Sequence, residues 1–301
     1  MRKRYFFWCW LSLLMGGSSY GQTMEELREQ IVQVLHNKSA TVGVAIQILP
    51  SKDTLMIHSK LRVPMQSVYK FHVALAVLHQ VDLGVLSLQK RINISEAKVK
   101  DYRHLYSPLC RKYLQGTTLT LAEVLSYAVA QSDNLACDIL FELVGGPKAV
   151  QTYIHQLGIK EVAILHTEKD MQANWQRQFE NWTTASAANR LLALFFENKK
   201  HLLSKESHGF LWRTMKATDT GKTSLRGMLP KQVVLAHKTG HSGKNAAGLT
   251  GAVNDIGVLF FSASSYAYIS VFVSNSKESD TTNEKIIASI AKLTYDYLKK
   301  Q

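Results

Sequence analysis

The chain has 301 residues and a mass of 33.8 kDa, 46% hydrophobic and 20% charged, with 17 Gly and 5 Pro spread along it. That balance is globular; it excludes a disordered chain, a collagen or a coiled coil, and no tract has the composition of a flexible linker. A formal charge of +13 suits anionic surfaces or anionic substrates, but the Lys and Arg are scattered and no RNP, zinc-finger or helix-turn-helix pattern accompanies them, so nucleic acid is not expected as a partner.

Arg2, Lys3 and Arg4 precede the apolar run 5–15, and small and polar residues follow from Gly16 to Gln22. This is the pattern of a secretory signal peptide, with cleavage expected near Gly21 and the mature protein periplasmic or secreted. Cleavage there takes three cations with it and lowers the charge to +10. No apolar run reaches the roughly 18 residues that a membrane span requires, so no transmembrane segment is expected.

Helical spacing of apolar residues runs from Met24 to Leu35, followed by a strand pattern at Val42–Leu49, the turn Pro50–Asp53 and a second strand at Thr54–His58. From Ser67 to about Met215 the 3.6 period dominates, at Phe71–Leu83, Leu121–Val144, Ala149–Leu157, Thr184–Phe196 and Ser204–Met215. Strand patterns return at Val233–Thr239, Asp255–Phe261 and Tyr266–Ser274, and an amphipathic helix, Asn283–Lys299, closes the chain. The expected fold is α/β plus all-α, an antiparallel sheet flanked by helices and built from both chain termini (22–62 and 216–301), with a helical domain (63–215) inserted. The cleft between the two parts is the default site.

Two cysteines, Cys110 and Cys137, remain beyond the leader, with no C-x-x-C and no metal-ligand spacing. Cys137 lies in an apolar helical stretch and reads as a buried free thiol. None of the eleven His belongs to an H-E-x-x-H or H-x-H-x-D pattern; His72 and His79 read as packing residues, and neither metal nor cofactor is expected. A monomer acting on a small molecule is the simplest expectation.

S-x-x-K occurs five times, at Ser67, Ser87, Ser95, Ser274 and Ser289, so the bare match means little. Only Ser67 passes from a turn, Val63–Gln66, directly into a long apolar helix. Ser67 and Lys70 then share one helix face, and the helix N-terminus offers free N–H groups to an oxyanion. Ser132-Asp133-Asn134 follows the helical segment Leu121–Ala130, and Lys238-Thr239-Gly240 ends a strand. By average composition each tripeptide arises by chance in fewer than roughly one chain in ten of this length. Their joint occurrence, in this order and on these elements, is the signature of active-site-serine penicillin-recognising enzymes.

With these motifs the chain resembles the class A serine β-lactamases over essentially all of the mature sequence. It looks most like their PER- and VEB-type, extended-spectrum branch, on Pro64–Lys70, Ser132–Asp138, Gln178–Thr183 and Ala236–Ser242. The resemblance implies a Ser67 nucleophile, Lys70 as the neighbouring base and Ser132 as the proton shuttle to the lactam nitrogen. It implies that Asn134 binds the acyl side-chain amide, that Lys238 and Thr239 hold the substrate carboxylate with Gly240 also in the substrate-binding set, and that the backbone N–H groups of Ser67 and His241 form the oxyanion hole. Glu168 matches the deacylating base, with Asp170 the competing carboxylate. Gln172, Tyr106 and Ser242 complete the expected substrate-binding set. The implied activity is hydrolysis of penicillins and cephalosporins, giving β-lactam resistance. A D-alanyl-D-alanine peptidase or a β-lactam sensor is the alternative; Glu168 argues against the first, and the lack of an expected membrane segment against the second.

The sequence also departs from the family. Glu168-Lys-Asp-Met171-Gln172 stands in place of E-x-x-L-N, and His166 and Asn181 occupy the places of the ionic pair that usually ties this loop. Loss of that charge-assisted tie is expected to let the loop move or take another path, admitting bulky oxyimino-cephalosporins. No arginine matches the auxiliary carboxylate-binding position, for which Arg226 and Lys222 are the candidates.

Overall fold

The structure is a computed structural model describing residues 22–199 and 201–300; the expected signal peptide lies outside them. In chain order the regular elements begin with α1 (Met24–Leu35), the hairpin β1 (Thr41–Leu49) and β2 (Thr54–Ile57), the short β3 (Val63–Pro64) and α2 (Tyr69–Asp82). Then come β4 (Arg91–Ser95), α3 (Glu96–Tyr102), α4 (Pro108–Lys112), β5 (Gly116–Thr120), α5 (Leu121–Ala130), α6 (Asn134–Val144) and α7 (Pro147–Gln156). The chain continues through α8 (Glu168–Ala173), β6 (Trp182–Thr183), α9 (Ala185–Glu197) and α10 (Lys205–Lys216), and ends with β7 (Leu235–His241), β8 (Thr250–Phe260), β9 (Tyr266–Ser276) and α11 (Asp280–Lys300).

The main sheet has the order β2-β1-β9-β8-β7 and is antiparallel throughout. β9 sits in the middle, paired with β1 from Thr41↔Ser274 to Leu49↔Tyr266 and with β8 on its other side. Alternation along β9 divides the core in two. Ala267, Ile269, Val271 and Val273 pack with Leu27, Ile31, Ile287 and Ile290 of the terminal helices, while Tyr268 and Phe272 face the helical side with Phe195 and Leu192. Both faces of the sheet are thus covered, which is why β8 and β9 are buried almost end to end.

The inserted segment is mainly helical but carries two small antiparallel pairs, β4 with β5 and β3 with β6, which its dominant 3.6 period concealed. The apolar stretch Leu121–Val144 is broken into α5 and α6 by Gln131-Ser132-Asp133, where Ser132 takes a left-handed φ of 57°. Asp133 caps α6 by accepting a hydrogen bond from the Ala136 N–H at 2.9 Å. Cys110 and Cys137 are buried free thiols.

Candidate active site

Ser67 lies in a single 3₁₀ turn, Gln66–Val68, that runs straight into α2. The turn is held from several sides. Asn254 Nδ2 donates to the carbonyls of Pro64 and Met65 at 2.8 and 3.1 Å, and the Met65 N–H donates to the Asn181 carbonyl at 2.9 Å. Gln66, left-handed at φ 46°, donates through Nε2 to Gln178 Oε1 at 2.8 Å, and Gln178 in turn reaches the Trp175 carbonyl. A non-glycine residue in this conformation persists only where its surroundings fix it, and such residues cluster at functional sites.

Strand β7 lies against this turn at Gly240, where a Cβ would come within 2.6 Å of the Met65 carbonyl oxygen and 3.2 Å of the Ser67 nitrogen. Only glycine permits that approach. β7 is an edge strand, and its backbone alternates: the Ser242 N–H donates to Ala252 on β8 at 3.0 Å, whereas the His237 carbonyl accepts from Thr218 Oγ1 on the open side at 2.7 Å. By the same alternation the His241 N–H faces the open side, beside the Ser67 turn.

Lys70, the second residue of α2 and fully buried, places Nζ 2.6 Å from the Ser132 carbonyl, 2.6 Å from Asn134 Oδ1 and 3.1 Å from Glu168 Oε1. The first two are hydrogen bonds, and the third is an ion-pair contact that leaves Glu168 Oε1 without a hydrogen-bond partner among the described residues. Lys238, equally buried, donates to Ser132 Oγ and to the Thr239 carbonyl, both at 2.9 Å. Burial above all, and then the charge of Lys70, pull its pKa down to about 7 against the opposing pull of Asp255 and Glu168. The Ser132 hinge is fixed through Asp133, whose carboxylate also accepts from Leu109 N–H at 2.7 Å and Ser107 Oγ at 2.8 Å.

Glu168 opens α8, a helix that the sequence reading treated as loop. Its N-cap is Thr167, whose hydroxyl accepts from the Asp170 N–H while the Asp170 carboxylate accepts from the Thr167 N–H and hydroxyl. Burial acts to raise the Asp170 pKa, but these bonds and nearby Arg177 outweigh it and hold the carboxyl below its usual range. Asp170 is therefore a cap, and it is not among the residues that line the cleft. Asp138, which sequence reasoning passed over, receives the Glu168 and Lys169 N–H groups at 2.9 and 3.1 Å and the Tyr102 hydroxyl at 3.0 Å. Burial, then the Glu168 charge, push its pKa up to about 7. The signal was present: Asp138 is four residues after Asn134 and shares its helix face.

The expected release of this loop is not what the structure shows. Asn181, fully buried, accepts from the Leu165 and His166 N–H groups at 2.7 and 3.0 Å and donates to the His166 carbonyl at 2.8 Å. His166 Nε2 lies 2.8 Å from Glu180 Oε2. A neutral amide tied into the backbone replaces an ionic pair, so the residues that suggested a free loop are the ones that fasten it.

These groups surround a cleft of about 750 Å³. Ser67, Ser132, Asn134 and Glu168 line it, as do Tyr106, Gln172, Thr239, Gly240, His241 and Ser242. Lys70 and Lys238 lie behind the lining residues and reach them through Ser132, Asn134 and Glu168. Arg226 and Lys222 are absent from its walls, and Arg226 instead donates to the Val233 carbonyl at 2.8 Å. His104, Trp175, Lys244 and Glu284, unremarked in the sequence, also line it.

A sequence model of the beta-lactamase enzyme family matches residues 26–298. The chain belongs to the class A β-lactamases. It is 43% identical over 273 residues to the beta-lactamase VEB-1 of Pseudomonas aeruginosa, covering 91% of this chain and 90% of that one. It is 42% identical over 293 residues to the extended-spectrum beta-lactamase PER-1 of the same species, covering 96% and 93%. Among solved structures, the TLA-3 extended-spectrum beta-lactamase superposes with a TM-score of 0.88 at 41% identity over 92% of this chain and 99% of that one. The enzyme is a hydrolase of β-lactams, of the VEB, PER and TLA branch.

Proposed function

We propose that the enzyme opens penicillins and cephalosporins through an acyl-enzyme on Ser67, and that it works outside the cytoplasm after loss of residues 1–21. The observation that carries this reading is the bonding around Lys70, whose ammonium joins Ser132, Asn134 and Glu168 at the foot of the cleft that Ser67 faces. Glu168, which lies 3.1 Å from Lys70 Nζ and has a carboxylate oxygen without a hydrogen-bond partner among the described residues, is the group that collects the Ser67 proton, through water. Ser67 Oγ attacks the lactam carbonyl carbon, and the negative charge on oxygen meets the Ser67 and His241 N–H groups. The C–N bond breaks as Ser132 Oγ gives its proton to nitrogen. Lys238, bonded to Ser132 Oγ at 2.9 Å, stabilises the oxygen left behind and attracts the substrate carboxylate together with Thr239. The proton held by Glu168 is returned to Ser132 Oγ through Lys70, which contacts both residues; the carboxylate so restored takes a proton from the water that attacks the ester, and that proton passes to Ser67 Oγ as the ester C–O bond breaks.

Oxyimino-cephalosporins are expected substrates. Kinship with extended-spectrum enzymes supports this, together with the small Ser242 at the cleft wall.

The test is a pair of variants assayed with nitrocefin and by mass spectrometry. Ser67→Ala should lose both turnover and covalent labelling by penicillin. Glu168→Gln should accumulate acyl-enzyme, with turnover lowered by about 10² to 10⁴, the usual worth of a general base. Labelling of the Ser67→Ala protein, or normal turnover by Glu168→Gln, would sink the mechanism.

A further inference from the structure

Two side-chain oxygens behind the nucleophile are buried and have no hydrogen-bond partner among the described residues, Tyr69 Oη and Glu168 Oε1. Tyr69 opens α2, between Ser67 and Lys70 in the chain, and is fully buried. Its ring is fixed by stacking on Phe141 of α6, with centroids 5.5 Å apart and planes 22° from parallel. Burial above all, then Cys137, the charges of Glu168 and Asp138, and hydrogen bonding toward Glu168 hold the phenol's pKa well above its usual range. The hydroxyl keeps its proton throughout the working pH range and can act on Glu168 only as a donor.

The other strong acceptors around it are engaged. Asp138 receives the Glu168 and Lys169 N–H groups and the Tyr102 hydroxyl, while Asn134 Oδ1 and the Ser132 carbonyl receive Lys70. Glu168 Oε1 has the ion-pair contact with Lys70 at 3.1 Å and no hydrogen bond. A buried donor and a buried acceptor left unpaired side by side each cost free energy that a bond between them removes.

We propose that Tyr69 is a positioning residue for Glu168: its hydroxyl donates to Oε1, which keeps the carboxylate charged in its buried place and leaves Oε2 free for the water that enters the cleft. The inference rests on the β-lactam reading above and adds to it a group that never touches substrate, since Tyr69 is absent from the cleft wall and acts through Glu168. The groups that face Glu168 are Tyr69 and Lys70 from α2, Cys137 and Asp138 from α6, and Lys238 from β7. Tyr69→Phe removes one donor from this set and leaves every charge, and the ring on Phe141, in place.

Loss of that donor favours the protonated form of Glu168. The acid limb of kcat/KM for nitrocefin should therefore move upward in Tyr69→Phe by about one pH unit, the effect expected for a hydrogen bond to a charged group. On that limb the variant should be about ten-fold slower than the native enzyme, with the deficit closing as pH rises. A ring-fluorinated tyrosine at position 69, a stronger donor of nearly the same shape, should move the limb downward. Both shifts should persist in an Asp138→Asn background, because Asp138 reaches α8 through backbone N–H groups. An unmoved limb overturns the proposal, as does a deficit uniform in pH, which would assign Tyr69 to packing, or a shift that vanishes with Asp138→Asn, which would assign the titration to Asp138. Failure of the native protein to turn over nitrocefin would instead overturn the functional reading on which this one stands.

Discussion

Two buried lysines meet at the same residue, Ser132, and they are held differently. Lys70 has a carboxylate and two neutral oxygens about it, while Lys238 has a hydroxyl, a carbonyl and no anion in direct contact. Its pKa of about 7, lowered chiefly by burial, means that the empty cleft holds the charge below that pH and loses it above. An anionic substrate draws the proton back. The alkaline fall of kcat/KM, which reports the free enzyme, should therefore begin near pH 7, and the fall of kcat should be displaced upward. Nitrocefin hydrolysis followed from pH 5.5 to 9.5 checks this; coincident profiles would remove Lys238 from the account. The sign for stability is opposite. An unfolded lysine keeps its proton to about 10.4, so between those values the unfolded chain binds more protons and this residue makes the fold more stable as pH rises.

At the scale of elements, the site is a meeting of ends: the start of α2, the α5–α6 break, the start of α8 and the edge of β7. Short polar segments do the positioning. Asn181 satisfies two backbone N–H groups and one carbonyl of the Glu168 loop, so Asn181→Ala should cost about 2 kcal/mol or more by leaving buried groups unpaired. Limited proteolysis should then cut between residues 158 and 184, and deacylation should slow as Glu168 loses its place. Native-like protection of this segment would show that the loop is held elsewhere.

This element also marks where sequence reading fails. Ser67, Lys70, Ser132 and Lys238 were legible because each stands in a short motif at the end of a strongly periodic segment. The sheet was legible because its strands alternate or run apolar. Asn181 was read as the absence of a salt bridge, since an amide's partners are backbone atoms that leave no mark in the residue pattern. The six-residue α8 is too short for periodicity, and only its Thr167-x-x-Asp170 capping box announced it. Asp138 carried a signal in its spacing from Asn134, but its apolar neighbours masked it, and its partners are supplied by α8, which the sequence pattern did not reveal.

In the whole molecule, the two free thiols, Cys110 and Cys137, belong to the same helical-side core. Burial raises the Cys137 thiol well above its usual range. Both should be silent to a thiol reagent in native buffer and react together, at the rate of global unfolding, in denaturant without reductant. Reaction of one in the folded state would reveal a local opening. The central position of β9 reaches further, into the order of events during synthesis. β1 is made early, yet the strand that completes its hydrogen bonding emerges more than two hundred residues later, at Tyr266–Ser276. Until then neither β1 nor β8 can be satisfied along its inner edge, and the apolar faces of α1 and the first hairpin have no α11 to meet. A ribosome-bound chain short of β9 is consequently a helical domain carrying loose sticky strands, and the last forty residues act as the closing stitch of a fold whose first stitch was left open. Chains truncated before Tyr266 should accumulate as aggregate, with no soluble and partly active fragment.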